Sequence, residues 1–300
     1  MKNSSSIPLK IGSLELKFNT VPAPMAGLTD VSFRKLLDEI GSIGYMVPEM
    51  ISADGLIWRN RRTFDMMEMG QFSTPQFIQL FGEKVDSLVE AVKIVENETK
   101  FDGIDLNMGC PASKVVKKGA GSALLPHADR IRTIVSEIRA TTSMPLTVKI
   151  RLGFDRINVE ETVKTIENAG ADAVCIHFRL RSTPYSTPAK WEYAERIRKM
   201  TNMVLIGNGD ITDYRTAQKR MTQADAVMIG RGAISNPLIF SEIESGISTE
   251  RSKKAVFLRL IELIDHFYVD ELKMSKLKPF IRYMISERPD SKALRLKLYN

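Results

Sequence analysis

The sequence predicts an α/β fold: an eight-stranded (β/α)8 TIM barrel carrying a small C-terminal all-helical domain. Three observations point there. Short apolar runs of strand length occur eight times, mostly 25 to 40 residues apart. Amphipathic helical patterns fill the intervals, and strands alternating with helices build parallel sheets. The chain has 300 residues, which suits a barrel of roughly 250 residues with an appendage. The alternation alone also fits an open doubly wound sheet; the count of eight favours the barrel.

Residues 7–18 alternate around Gly12 and read as a hairpin closing the barrel floor. The eight strands are then expected at 21–23, 45–48, 76–80, 103–107, 146–150, 173–177, 204–208 and 226–229. The first helix, 32–40, has Asp30 or Ser32 as its cap and Gly41 as its stop. The helix at 85–100 carries Val85, Leu88, Val89, Val92 and Val95 on one face. Similar patterns predict helices at 129–140, 159–169, 191–200 and 213–221. The rhythm stops after residue 240. Helices are predicted at 251–272, with Ser248 and Thr249 ahead of it as a cap, at 279–286 and at 291–298. Residues 1–240 therefore form the barrel and 241–300 a separate helical domain. From Ser245 onward there are 12 lysines and arginines against 7 aspartates and glutamates, most of the chain's net charge of +7. An ordinary solvated cap explains these helices equally well and their charge less well.

Composition excludes several classes. Two cysteines, Cys110 and Cys175, are too few for a multi-cysteine zinc site or an iron–sulfur cluster and suggest no disulfide framework. No metal site is expected. No secretory leader and no run of about 18 apolar residues is visible, so a cytoplasmic protein without a membrane span is expected. A pI near 9.3 permits a polyanionic partner.

In a parallel barrel, chemistry sits just past the C-terminal ends of the strands. Those positions hold Pro24, Met25 and Ala26, then Gln79, then Asn107 with Cys110. Lys149 follows, then His177 with Arg179, then Asn208, Gly209 and Asp210, and finally Gly230 and Arg231. Glycine-rich turns after the seventh and eighth strands are the usual phosphate site of a barrel, with bare backbone N–H groups facing the anion. Such a phosphate, with Gln79 and Lys149 nearby, suits flavin mononucleotide (FMN), whose reduced ring carries negative charge that a cation stabilises. Taken singly, the lysine also reads as a structural ion pair and the glutamine as a filler.

Cys110 lies in a Gly-Cys-Pro loop at the barrel mouth, whereas Cys175 lies within an apolar strand and reads as an inert buried thiol. An ordinary thiol is mostly protonated at neutral pH and can give up a proton. A covalent nucleophile is the alternative, with His177 as the group able to approach it in space.

The chain resembles the tRNA-dihydrouridine synthases over nearly its full length. The matching segments are APMAGLTD from Ala23, QLFG from Gln79, IDLNMGCP from Ile104, GAGSALL from Gly119 and VKIRLG from Val148. They continue with Ile176-His-x-Arg-x-Arg, Tyr185-Ser-x-Pro-Ala-x-Trp, GNGDI from Gly207 and IGRGA from Ile229. Phe178 and Leu180 depart from the glycine and threonine common there. The resemblance implies an FMN barrel whose helical domain helps to hold tRNA, with NADPH or NADH as reductant. It implies FMN contacts from Pro24, Met25, Ala26, Gln79, Lys149 and His177, and a phosphate end held by Asn208, Gly209, Asp210, Gly230 and Arg231. It implies Cys110 as general acid, and Asn107 and Arg179 as seats for the uracil. A monomer with tRNA as its partner is expected. Two rivals stay open: an FMN barrel acting on a free pyrimidine, and a non-catalytic RNA-binding protein on a retired barrel.

Overall fold

The structure is a computed structural model that describes residues 9–67, 70–249, 253–284 and 292. Strands β1 (Leu9–Ile11) and β2 (Leu14–Leu16) form the hairpin around Gly12. An added Cβ at Gly12, whose φ is +56°, would stand 2.9 Å from Asp172 and 3.2 Å from Pro145. Those two residues precede barrel strands, so the hairpin does lie against the N-terminal end of the barrel.

Eight parallel strands follow: β3 (Thr20–Pro22), β4 (Ile51–Ser52), β5 (Phe77–Phe81), β6 (Gly103–Asn107), β7 (Leu146–Gly153), β8 (Ala173–Leu180), β9 (Val204–Asn208) and β10 (Ala226–Ile229). Their spatial order is β3-β10-β9-β8-β7-β6-β5-β4, that of a (β/α)8 TIM barrel. Between β3 and β4 the Gly44 amide donates to Thr20 O at 2.9 Å. A Cβ at Gly44 would come within 2.3 Å of Phe18 O, so a side chain there would break this approach.

The expected strand 45–48 is not one. It makes a single bridge, Met46 to Gln76, and the paired strand comes later, at Ile51–Ser52. Pro48 has no N–H to give a ladder, which displaces the pairing along the chain. Strands β7 and β8 run three residues further than predicted because Arg151 and Arg179 are still inside the sheet.

Helices α1 (Val31–Ile40), α2 (Ala53–Ile57), α3 (Arg61–Met66), α4 (Val85–Glu98), α5 (Ser113–Val116), α6 (Ala128–Thr141), α7 (Val159–Asn168), α8 (Glu192–Met200) and α9 (Tyr214–Met221) alternate with the strands. Asp30 caps α1 by accepting from the Phe33 amide at 3.2 Å, and Gly41 at φ +79° ends it. Alternation along each strand divides the core into two layers. Ile104, Leu106, Val148, Ile150, Val174 and Ile176 face the helices. Ile11, Leu16, Phe77, Cys175, Ile206 and Met228 fill the barrel interior. Phe178 points to the outer layer and packs on Trp191 at 4.6 Å between ring centroids. Its bulk therefore does not intrude on the mouth.

Beyond the barrel come α10 (Arg231–Ser235), α11 (Ile239–Ser245), α12 (Lys253–Phe267) and α13 (Asp270–Met284). The single helix expected at 251–272 breaks before Asp270, and the helix expected from Pro279 begins nine residues earlier, with Pro279 inside α13. An acidic first turn, Asp270-Glu271, restarts the helix there. Glu250, Arg251, Ser252 and the helix expected at 291–298 lie outside the described residues, Lys292 excepted. The α12–α13 pair is tied to α1 by Arg259 to Glu39 (2.8 Å), Lys276 to Asp30 (3.3 Å) and Phe33 against Phe280. Among the described residues no helix is long and apolar enough to cross a membrane.

Candidate functional site

Parallel register decides which side chains meet. Gln79 lies beside Asp105, Asn107 beside Lys149, Arg151 beside His177, and His177 beside Asn208. Positions two apart on a strand face the same way. Thr147, Lys149 and Arg151 thus form one inward column, and Cys175, His177 and Arg179 another. Polar members replace apolar ones toward the C-terminal end of the barrel.

Past β6 the chain turns outward, and the turn is pinned at several points. Asn107 Oδ1 accepts from the amides of Gly109 (3.2 Å) and Cys110 (2.9 Å). The Cys110 carbonyl accepts from Ser122 N (3.1 Å) and Ser122 Oγ (2.9 Å). Gly109 O accepts from Arg151 Nε at 2.9 Å. Gly121, at φ +60°, passes so close that its added Cβ would stand 2.9 Å from Cys110 O. The peptide of Cys110 is therefore rigidly held, yet among the described residues no hydrogen bond engages its sulfur. Cys110 is half-buried, whereas Cys175 is fully buried, 3.4 Å from Met228 Sδ. Burial pushes the Cys175 thiol up to about 12.

His177 is held well below its ordinary pKa by burial first, then by the charges of Lys149, Arg151, Arg179 and Arg231. Its Nε2 lies 3.1 Å from Arg179 Nη1. A guanidinium only donates, so Nε2 accepts and the neutral ring carries its proton on Nδ1. This has a consequence for stability. The folded state resists protonation while the unfolded state takes up a proton below the ordinary value of 6.5. Stability from this ring is present above pH 6.5 and is lost as pH falls below it, by at most about 1.4 kcal/mol per pH unit. His177→Gln is expected to flatten the fall in melting temperature between pH 7 and 5, measured by thermal denaturation. An unchanged slope would contradict the neutral-ring assignment.

Beyond β8, an arginine cluster surrounds an exposed aromatic ring. Arg179 Nη2 contacts both carboxylate oxygens of Asp210 at 2.7 Å, and its Nε donates to Thr187 O at 2.8 Å. Asp210 sits at φ +53° and also takes the Ala189 amide (2.8 Å) and Arg231 Nη2 (3.3 Å). Burial works against its ionisation, but Arg179, the Ala189 amide and Arg231 outweigh this and lower its pKa. Tyr185 stacks on His177 with centroids 5.8 Å apart, and its hydroxyl lies 3.2 Å from Arg151 Nη2. Arg231 lies 4.8 Å from the same ring.

These groups line one cavity of about 900 Å³ at the C-terminal end of the barrel, within the usual size range of cofactor sites. Pro24, Met25, Ala26, Gln79, Asn107, Cys110, Lys149, His177, Arg179, Asn208, Gly209, Asp210, Gly230 and Arg231 all lie in its wall. The structure thus brings together every residue singled out from the sequence. It adds Met50, Arg151, Tyr185, Arg282 and Tyr283. Arg151 was findable, since it shares the inward column of Lys149. Tyr185 stood in a quoted motif without a role. Arg282 and Tyr283 reach the mouth from α13, and nothing local in the sequence predicts that long-range approach.

A family model described as Dihydrouridine synthase (Dus) matches residues 21–287. The chain is 34% identical over 272 residues to "tRNA-dihydrouridine synthase B" of Pasteurella multocida, covering 87% of this chain and 81% of that protein. It is 36% identical over 248 residues to the protein of the same name from Escherichia coli K12, covering 80% and 76%. Among solved structures, a variant of NCR from Zymomonas mobilis superposes with a TM-score of 0.60 at 16% identity, over 92% of this chain and 98% of that one. Morphinone reductase superposes with 0.58 at 15% identity, over 83% and 91%. At that identity the two structures speak for the barrel fold alone.

Proposed function

The chain belongs to the dihydrouridine synthase family, and from that premise we propose that it reduces the C5–C6 double bond of particular tRNA uridines. In this reading FMN is the bound cofactor, NADPH or NADH the reductant and Cys110 the proton donor. The carrying observation is that the rigidly held Cys110 loop, the Lys149 cation and the neutral His177 ring open on the same cavity.

The residues present fit FMN. Lys149 and His177 Nδ1–H offer a cation and a donor to the polar edge of the ring. Pro24, Met25 and Ala26 offer a largely apolar wall. The Gly230 turn and Arg231 offer backbone N–H groups and a guanidinium to a phosphate. The Asp210 carboxylate is already engaged by Arg179 and Arg231, and it would repel a phosphate. In this reading it holds Arg231 in place, and the turn at Asn208 and Gly209 would offer its backbone to the anion. Arg179, with a protein partner at each of its three nitrogens, likewise fixes His177 and the Tyr185 loop more than it seats the base.

When bound, FMN would supply the hydride for the uracil double bond. Cys110 would give its Sγ proton to C5 and recover one from solvent, so one hydride and one proton would add across the double bond. Asn107 and Ser122 hold the Cys110 backbone, and Arg151 braces the loop against the Tyr185 segment. Extruding the base from RNA costs a few kcal/mol, least where it is already unpaired.

A free pyrimidine as substrate would use the same floor. Arg282 and Tyr283 at the mouth, with exposed Lys114, Lys117 and Lys118 beside the Cys110 loop, favour a polyanionic polymer. The basic segment 241–300 is read as part of the tRNA-holding surface. Sequencing-based mapping of dihydrouridine in tRNA from cells with and without the gene is the test. Loss of the base at defined positions is expected. An unchanged map, together with turnover of free uracil unaffected by added tRNA, would replace this reading with the free-pyrimidine one.

A further inference from the structure

We propose that Asp105 is the positioning residue that sets the direction of a hydrogen-bond chain ending on the Cys110 backbone, and so decides where the Cys110 thiol stands. The inference rests on Cys110 being the proton donor, and it adds a control on that group from inside the barrel.

Asp105 is fully buried on β6, one inward position below Asn107. Its carboxylate accepts from Thr147 Oγ1 and from Gln79 Nε2, each at 2.5 Å. An ionised carboxylate has no hydrogen to give. Gln79 must therefore turn its NH2 group toward Asp105 and its Oε1 away. That oxygen accepts from Asn107 Nδ2 at 2.7 Å. Asn107 is then left with Oδ1 facing the amides of Gly109 and Cys110, which need an acceptor. The oxygen and nitrogen of a carboxamide are nearly equal in size, so shape selects weakly between the two orientations of either amide. The carboxylate at the head of the chain makes the selection for both.

A protonated carboxyl, or an asparagine, at position 105 removes this constraint. Each can present a hydrogen to Gln79, allowing it to turn round and Asn107 to follow. Asn107 would then point its NH2 group at two backbone N–H donors, and the loop would lose its hold on Cys110. The groups facing Asp105 are Lys149 on β7, Cys175 on β8 and Tyr45 ahead of β4. Burial raises the Asp105 carboxyl to about 6, against the opposing pull of Gln79, Thr147 and Lys149. The chain of hydrogen bonds is accordingly ordered at neutral pH and loosens as pH falls through that value.

The test compares the full-length, flavin-loaded protein with Asp105→Asn. Iodoacetamide labelling of Cys110 is followed by peptide mass spectrometry, beside steady-state reduction of tRNA. The variant is expected to keep its flavin spectrum, to label Cys110 at a rate changed at least threefold, and to lose at least tenfold in kcat. The KM for tRNA should stay within threefold. A folded variant whose labelling rate and kcat both match the wild type within twofold would overturn the proposal. Should the variant not fold, the wild type alone decides. Amide exchange of the peptide spanning 107–110, corrected for its intrinsic pH dependence, should lose protection below pH 6, and flat protection from pH 5 to 7.5 would refute the idea. Labelling and exchange do not depend on turnover, so a failure of Cys110 as the donor would show separately.

Discussion

Cys110→Ala is expected to purify with its full complement of flavin and to reduce tRNA uridine 10²- to 10⁴-fold more slowly, the range typical for a removed general acid. The argument is geometric. The backbone of Cys110 is held by Asn107 and Ser122, while its sulfur takes no hydrogen bond among the described residues. Removing the sulfur leaves the loop's fastenings intact, so the loss should fall on kcat and leave tRNA binding and melting temperature nearly unchanged. Cys175→Ala gives the opposite pattern. That thiol fills a fully buried site beside Met228, so its loss costs about 1 kcal/mol of stability through the cavity left behind and spares the chemistry. Single-turnover reduction, with the flavin absorbance recorded in parallel, separates the two. Activity of Cys110→Ala within threefold of the wild type would remove the residue from the reaction.

Asp210→Asn is expected to be the most damaging single change around the cavity that touches no reacting atom. It removes the carboxylate from Arg179, whose side chain is only 1% exposed, and loosens Arg231. Truncating a partner of a fully buried ion pair costs about 3–5 kcal/mol. Asp210 itself is 34% exposed, and that screening brings the expected loss to about 2–3 kcal/mol. For a chain of this size that is a fall of several degrees in melting temperature. The sign with pH follows from the lowered carboxyl pKa. The contribution of Asp210 is present above its unfolded value of 3.8 and is lost as pH falls through the lower folded value. The gap between variant and wild type should thus be full at pH 7 and close only in strong acid. Thermal denaturation at the two extremes checks this, and equal melting temperatures at pH 7 would mean the pair contributes nothing net.

The sequence was most legible where a local rule sufficed. Residues 103–107, 204–208 and 226–229 are strands at the bounds their apolar runs predict, and the strand-end positions that follow them do line the cavity. Rules of this kind failed at 45–48, where an apolar run ending in proline forms one bridge in place of a strand. They failed again at Pro279, which lies inside a helix held by its packing on α1 and α10. At Pro279 tertiary packing overrode the local signal, whereas at 45–48 the proline that ends the run has no N–H to give and displaced the pairing.

Alternation and strand ends, set by side-chain periodicity and by turns within a few residues, determined the barrel and the inventory of its mouth. The partners of each group could not be read that way. That Asp105 orders Gln79, that Asp210 is taken by two arginines and that Arg282 arrives from α13 all depend on contacts between segments tens to hundreds of residues apart. Such contacts form only when the sheet curls and brings its strand ends onto one rim. Their direction and charge are properties of the assembled interior, where a buried donor or acceptor must find a partner in whatever lies beside it.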